Sequence, residues 1–160
     1  MSSSVRIGIV GLGRLGRRHA ENLALRVPGA SLVAAASPIP EERAWAEATL
    51  AGVKTYAGLP ELLAHPDLDA VWLVTPTSLH ADQVIEALEA GKHVFCEKPL
   101  ALETADCDRV IEVANKRPGQ LVMIGFMRRF DPAYAEAKRL IATGELGSVF
   151  SISCRSEDPV

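Results

Sequence analysis

Val5-Arg6-Ile7-Gly8-Ile9-Val10-Gly11-Leu12-Gly13-Arg14-Leu15-Gly16 is the stretch that decides the fold. It opens as a β-branched run bounded by glycine, which reads as a strand. It passes directly into Gly-x-Gly-x-x-Gly, and residues 13–26 then read as a helix closed by Val27-Pro28-Gly29. A glycine motif alone is a weak signal. One that leaves a strand and opens a helix is the unit that holds a dinucleotide. Gly11 permits the tight turn, Gly13 lets a diphosphate approach the backbone with no Cβ in the way, and Gly16 allows helix and strand to pack closely. Amides at the helix N-terminus would then face the phosphates. Leu12, Arg14 and Leu15 complete the loop and join the glycines as candidate cofactor contacts.

Beyond this unit, short apolar strands alternate with amphipathic stretches. Strands are predicted at 32–36, 54–56, 70–74, 93–96 and 121–125, and helices from Pro40, at 60–64, at 81–90 and at 103–115. Strands that alternate with helices form a parallel sheet covered on both faces. Ala70-Val71-Trp72-Leu73-Val74 is almost wholly apolar, as a strand buried on both faces should be. The fold class is therefore α/β, a doubly wound parallel sheet of the Rossmann kind over residues 1–126. A helix at 132–143, a turn at 144–147 and a strand at 148–154 follow, and read as the start of a second α/β domain within residues 127–160.

Composition narrows the function. Of 160 residues, 48% are apolar and 23% charged, ordinary for one globular core. Seventeen basic against 20 acidic residues give a net charge of −3, which argues against nucleic acid as a partner. No apolar run approaches the length of a membrane span. Met1-Ser2-Ser3-Ser4 shows no basic-then-apolar leader, so a secretory signal is not expected. Cys96, Cys107 and Cys154 form no Cys-x-x-Cys pair and no histidine stands at ligand spacing, so no metal site is expected. Reduced thiols in the cytoplasm are the plain reading.

Ser37 ends the strand at 32–36, where an acidic residue would hold the ribose 2′-hydroxyl of NAD. Serine neither repels a 2′-phosphate nor favours NAD. Arg14, and with less support Arg43, would supply positive charge to NADP if directed at the same ribose; otherwise Arg14 is solvated and Ser37 caps the next segment. NAD or NADP is thus the expected cofactor.

Three further segments carry chemistry. Val74-Thr75-Pro76-Thr77-Ser78-Leu79-His80 ends a buried strand with small polar residues at the sheet's carboxyl end, where ligands bind in open α/β folds. Gly91-Lys92-His93-Val94-Phe95-Cys96-Glu97-Lys98-Pro99-Leu100-Ala101 places Glu-Lys-Pro after another strand. Gly125-Phe126-Met127-Arg128-Arg129-Phe130-Asp131 closes the nucleotide domain. With the glycine loop, they resemble the Gfo/Idh/MocA family of NAD(P)-dependent sugar and polyol oxidoreductases, and the third is most similar to inositol 2-dehydrogenases. The resemblance implies that Thr75, Pro76, Thr77, His80, Glu97 and Lys98 lie along the cofactor. It implies that Lys98 is catalytic, binding the substrate hydroxyl and assisting proton transfer beside the nicotinamide, and that Arg128 contacts substrate or cofactor, substrate being the assignment adopted. For His80 a structural hydrogen bond at a helix start is equally in keeping with the residues, as is a solvated Arg128-Arg129 pair at a domain junction. A cis bond before Pro99 is compatible with the sequence. Trp45, Trp72 and Phe95 read as core.

The resemblance also implies a second α/β domain that roofs the site, mediates homo-oligomer contacts and supplies an Asp and a His in an Asp-x-x-x-His arrangement. His19, His65, His80 and His93 are the histidines of this sequence, and none follows an Asp at that spacing. A terminal strand with no partner and an ending at Asp158-Pro159-Val160 without capping logic predict a partial chain of a dehydrogenase acting on an inositol-like polyol or sugar. A short protein completed by another subunit, and a stand-alone NAD(P)-sensing module without catalysis, are the alternatives.

Overall fold

The structure, a computed structural model, describes residues 4–155. The leader reading at Met1-Ser2-Ser3 and the ending at Asp158-Pro159-Val160 lie outside the described residues. The chain divides into two compact units, the first ending at Gly125 and the second beginning at Phe126.

In the first unit β1 (Val5–Val10) leads into α1 (Arg14–Leu25), β2 (Ala30–Ala36), α2 (Pro40–Thr49), β3 (Lys54–Tyr56) and α3 (Leu59–Leu63). The second half adds β4 (Ala70–Leu73), α4 (Thr77–Glu89), β5 (His93–Cys96), α5 (Thr104–Asn115) and β6 (Val122–Ile124). All strand pairings are parallel, in the order β3-β2-β1-β4-β5-β6. The chain starts in the middle of the sheet, winds outward one way, then returns to β4 and winds the other way. This reversal opens a crevice at the carboxyl ends of β1 and β4.

Side-chain alternation along the strands builds a core on each face. Ile7, Ile9, Leu32 and Ala35 pack with Ala20 and Leu23 of α1 and Ala46 of α2. Val10, Ala34, Ala36, Val71, Leu73 and Cys96 pack with Leu59 and Leu62 of α3, Val84 and Leu88 of α4, and Val110 of α5. Trp72 and Phe95, expected in the core, stack with their ring centroids 3.7 Å apart. Burial pushes the Cys96 thiol up to about 12, so it behaves as a small apolar side chain.

Two expectations are corrected. The helix expected at 81–90 begins at Thr77. Pro76 has extended torsions (φ −57°, ψ 140°) and stands as the N-cap, so the polar residues read as a loop form the first turn of α4. In the second unit, a 3₁₀ turn at Met127–Phe130 leads into α6 (Pro132–Ala142), capped by the Asp131 side chain accepting from the Ala133 amide. Residues 148–154, expected as a strand and including Cys154, form none. A strand's amides and carbonyls require a neighbouring strand, and the described residues of this unit supply none.

The start of β1 is tied to the entry of β4 by a reciprocal set of bonds. The Arg6 amide and Nε both donate to Asp69 Oδ2, at 2.8 and 2.9 Å, Arg6 Nη2 donates to Oδ1, and the Asp69 amide donates to the Arg6 carbonyl. These bonds hold the Asp69 carboxyl well below the usual carboxylate range. A depressed folded value means a stabilisation that is complete above the unfolded value, about pH 4, and is withdrawn as the pH falls below it. Urea denaturation should therefore show a midpoint that declines below that pH. Asp69→Asn should lower the midpoint modestly at neutral pH, since the pair is partly exposed, and flatten the acid decline. An acid decline identical to wild type would contradict this.

Candidate cofactor and active site

The crevice between β1 and β4 is a cleft of about 730 Å³ in the first unit. Its wall is the glycine loop. Gly11 takes φ +93°, and a Cβ there would lie 2.5 Å from the Val74 carbonyl oxygen. A Cβ on Gly16 would lie 1.9 Å from the Gly11 carbonyl oxygen, so β1, α1 and the end of β4 meet with only glycine tolerated at both points. Gly13 differs. It caps α1 with extended torsions (φ −65°, ψ −171°), and a Cβ there would meet nothing nearer than Glu42 Oε1 at 3.9 Å. The space over Gly13 is open toward the cleft, and the first amides of α1 face it with no side-chain cap. A diphosphate fits there, where helix amides and dipole favour negative charge. Leu12 is buried in the core, so only its backbone can serve a ligand, whereas Arg14 and Leu15 are exposed at the rim.

The opposite wall comes from β4, α4 and β5. Thr75, Pro76, Thr77, His80, Glu97 and Lys98 all line the cleft. Thr75 Oγ1 donates to Gln83 Oε1 at 2.5 Å. His80 is fully buried, with Nε2 2.8 Å from the Thr75 carbonyl oxygen and Nδ1 2.7 Å from that of Pro99. It therefore ties the Thr75 loop to the loop that carries Lys98. The Lys98–Pro99 bond is cis, and Lys98 is exposed.

Glu97 has partners the sequence did not disclose. The Trp72 indole N–H can only donate, and it meets His19 Nδ1 at 3.2 Å. Nδ1 must accept, so the proton of a neutral His19 lies on Nε2, which faces Glu97 Oε1 at 3.2 Å. The other Glu97 oxygen accepts from the Lys98 amide at 3.2 Å. A Cβ on Gly125 would stand 3.1 Å from Glu97 Oε1, which explains glycine there. In the sequence His19 is only one of four histidines, within the helix expected at 13–26, with nothing to mark its partner 53 positions away.

Ser37 lines the cleft, but its hydroxyl is committed to Glu42 Oε2 at 2.5 Å. Arg43 donates to the Ser37 carbonyl at 2.7 Å and is not among the lining residues. Arg128 lies in the second unit, 3.3 Å from Asp131 and with its guanidinium 5.3 Å from the Tyr134 ring centroid. Among the described residues, no cluster of His, Cys, Asp and Glu could hold a metal ion, and no helix is long and apolar enough to cross a membrane.

Residues 5–126 match the model of an oxidoreductase family with an NAD-binding Rossmann fold, GFO_IDH_MocA. The chain belongs to the Gfo/Idh/MocA family. The scyllo-inositol 2-dehydrogenase (NAD(+)) of Bacillus subtilis is 47% identical over 148 residues, covering 92% of this chain and 43% of that protein. The myo-inositol 2-dehydrogenase of Thermotoga maritima is 39% identical over 156 residues, covering 97% and 46%. The crystal structure of scyllo-inositol dehydrogenase from Lactobacillus casei, with bound NAD(H) and scyllo-inositol, superimposes with a TM-score of 0.86 at 42% identity, over 91% of this chain and 43% of that one. The chain thus spans less than half the length of the Gfo/Idh/MocA proteins it matches here. Its first unit is the family's NAD-binding domain.

Gly13 and Gly16 should respond differently to the same added methyl. Gly13→Ala should leave thermal stability nearly unchanged while weakening NADH binding at least tenfold, because the Cβ occupies only ligand space. Gly16→Ala should destabilise the fold by about 1–3 kcal/mol, the usual range for overpacking. Equal loss of stability in both, measured by denaturant unfolding, would contradict the assignment of Gly13 to the ligand.

Proposed function

We propose that this chain is the cofactor-binding part of an oxidoreductase that transfers a hydride between a nicotinamide cofactor and a secondary hydroxyl carbon of an inositol-like polyol or sugar. The observation that carries the reading is that Glu97 and Lys98 of the Glu-Lys-Pro motif, just beyond β5, line the same cleft as the glycine loop. The nicotinamide, when bound, supplies the hydride acceptor or donor. The protein supplies the rest. Lys98 offers an ammonium to the reacting oxygen, where it stabilises a developing alkoxide and assists proton movement. Glu97, held by His19 and by the Lys98 amide, fixes the loop from which Lys98 projects. Arg128 is assigned to substrate on the family resemblance alone.

Residues 127–160 are read as the start of a substrate and oligomerisation domain, and a homo-oligomer is the expected form of a full-length protein. A cytoplasmic setting, where thiols stay reduced, belongs to the same reading. These 160 residues contain no Asp-x-x-x-His arrangement, so they do not themselves supply the acid–base partners that the family resemblance implies for Lys98.

The purified chain should bind NADH in calorimetry and show no inositol-dependent reduction of NAD⁺. A fusion in which its first unit replaces the matching part of the Bacillus subtilis relative should have that activity. Lys98→Met in the fusion should lower kcat by about 100-fold or more, the scale of a lost acid–base group, with NADH affinity little changed. Absence of NADH binding contradicts the cofactor role. A fusion that binds NADH but transfers no hydride contradicts the catalytic one.

A further inference from the structure

The end of β2 lacks the carboxylate that holds ribose hydroxyls in this fold, yet a carboxylate reaches the same place from another element. We infer that Glu42, in the first turn of α2, is the residue that selects NAD over NADP, and that Ser37 is its positioning residue.

Ser37 is 1% exposed, and each of its polar groups is committed. Its amide donates to the Tyr56 carbonyl at 3.1 Å, and its carbonyl accepts from Arg43 Nη1 at 2.7 Å. Its Oγ accepts from the Ile39 amide at 3.1 Å and donates to Glu42 Oε2 at 2.5 Å. The hydroxyl therefore has no proton left for a ribose. What it does instead is anchor one oxygen of Glu42. The other oxygen, Oε1, stands 3.9 Å from where a Cβ on Gly13 would be, at the point of the loop where the diphosphate approaches. Glu42 lines the cleft together with Ser37, Pro38 and Ile39.

A carboxylate oxygen in that position accepts hydrogen bonds from vicinal ribose hydroxyls, and charge-assisted bonds of this kind are the stronger class. A 2′-phosphate brings negative charge toward a negative group that is already fixed. Arg14, also lining the cleft, is the opposing influence. It is exposed, and among the described residues it makes no side-chain hydrogen bond, so reaching a phosphate would cost it side-chain entropy. Glu42 is already held and incurs no such cost. Arg43, the other cation considered, is turned to the Ser37 carbonyl and helps fix the anion's support.

The inference rests on the cofactor reading above, and its test separates the two. Affinities of the purified chain for NADH and NADPH are measured by cofactor fluorescence. Wild type should prefer NADH by at least tenfold, about 1.4 kcal/mol. Glu42→Gln, which keeps the size and the contact with Ser37, should reduce that preference about tenfold, mainly through tighter NADPH binding. Ser37→Ala should shift the preference the same way by a smaller factor, and Arg14→Ala should move it the other way, toward NADH, by no more than about threefold. Wild type that binds NADPH as tightly as NADH overturns the inference while leaving the cofactor reading intact. So does an unchanged preference in Glu42→Gln that still binds NADH. A chain that binds neither cofactor overturns both.

Discussion

The first unit depends on one close contact: the Gly16 Cα against the Gly11 carbonyl, with Gly11 itself against the carbonyl of Val74. Added Cβ atoms would stand 1.9 and 2.5 Å from those oxygens. Backbone therefore meets backbone where β1, α1 and β4 converge. Because α1 can come this near, its N-terminal amides lie at the carboxyl edge of the sheet. Because the strand order reverses between β1 and β4, that edge is open to a ligand. The two cores, one on each face of the sheet, hold the contact in place without filling the crevice.

From that point the site is built by tethers between chain segments distant in sequence. His80 joins the Thr75 and Pro99 carbonyls. His19 joins Trp72 of β4 to Glu97 beyond β5. Ser37 joins the end of β2 to the first turn of α2. Each tether is a buried or half-buried polar side chain with named partners, and no buried side-chain polar atom among the described residues lacks one. Such satisfied networks fix geometry, since an unpaired polar group at these positions would be costly. The result is a cleft whose two ends differ chemically: a carboxylate beside the glycine loop, and a lysine loop at β5.

The sheet, its helices and the glycine loop were legible in the sequence because their causes are local. A strand that runs into Gly-x-Gly-x-x-Gly and then a helix leaves few backbone solutions, and continuous apolar runs identify strands covered on both faces. Glu97 and Lys98 were legible as a motif but not as a network, because the partner that orients Glu97 comes from α1. Glu42 is only five positions from Ser37, yet its role depends on which way the serine hydroxyl points. The residue sought at the strand's end turned out to support the charge rather than carry it. Pro76 both ends a strand, as the sequence predicts, and starts α4, because a proline with extended torsions serves as an N-cap as readily as a strand stop. The strand expected at 148–154 failed for a non-local reason, since a β-branched run becomes a strand only beside another.

An amide-resolved titration of the chain with NADH, followed by ¹⁵N chemical shifts, tests the central claim most directly. The largest changes should fall on residues 12–16, 37–42 and 75–77 and on Lys98, at the carboxyl edge of the sheet. Gly29, Gly52 and Gly91, which precede β2, β3 and β5 at the opposite edge, should stay unmoved. Shifts concentrated at that opposite edge, or spread evenly with the glycine loop silent, would contradict the account.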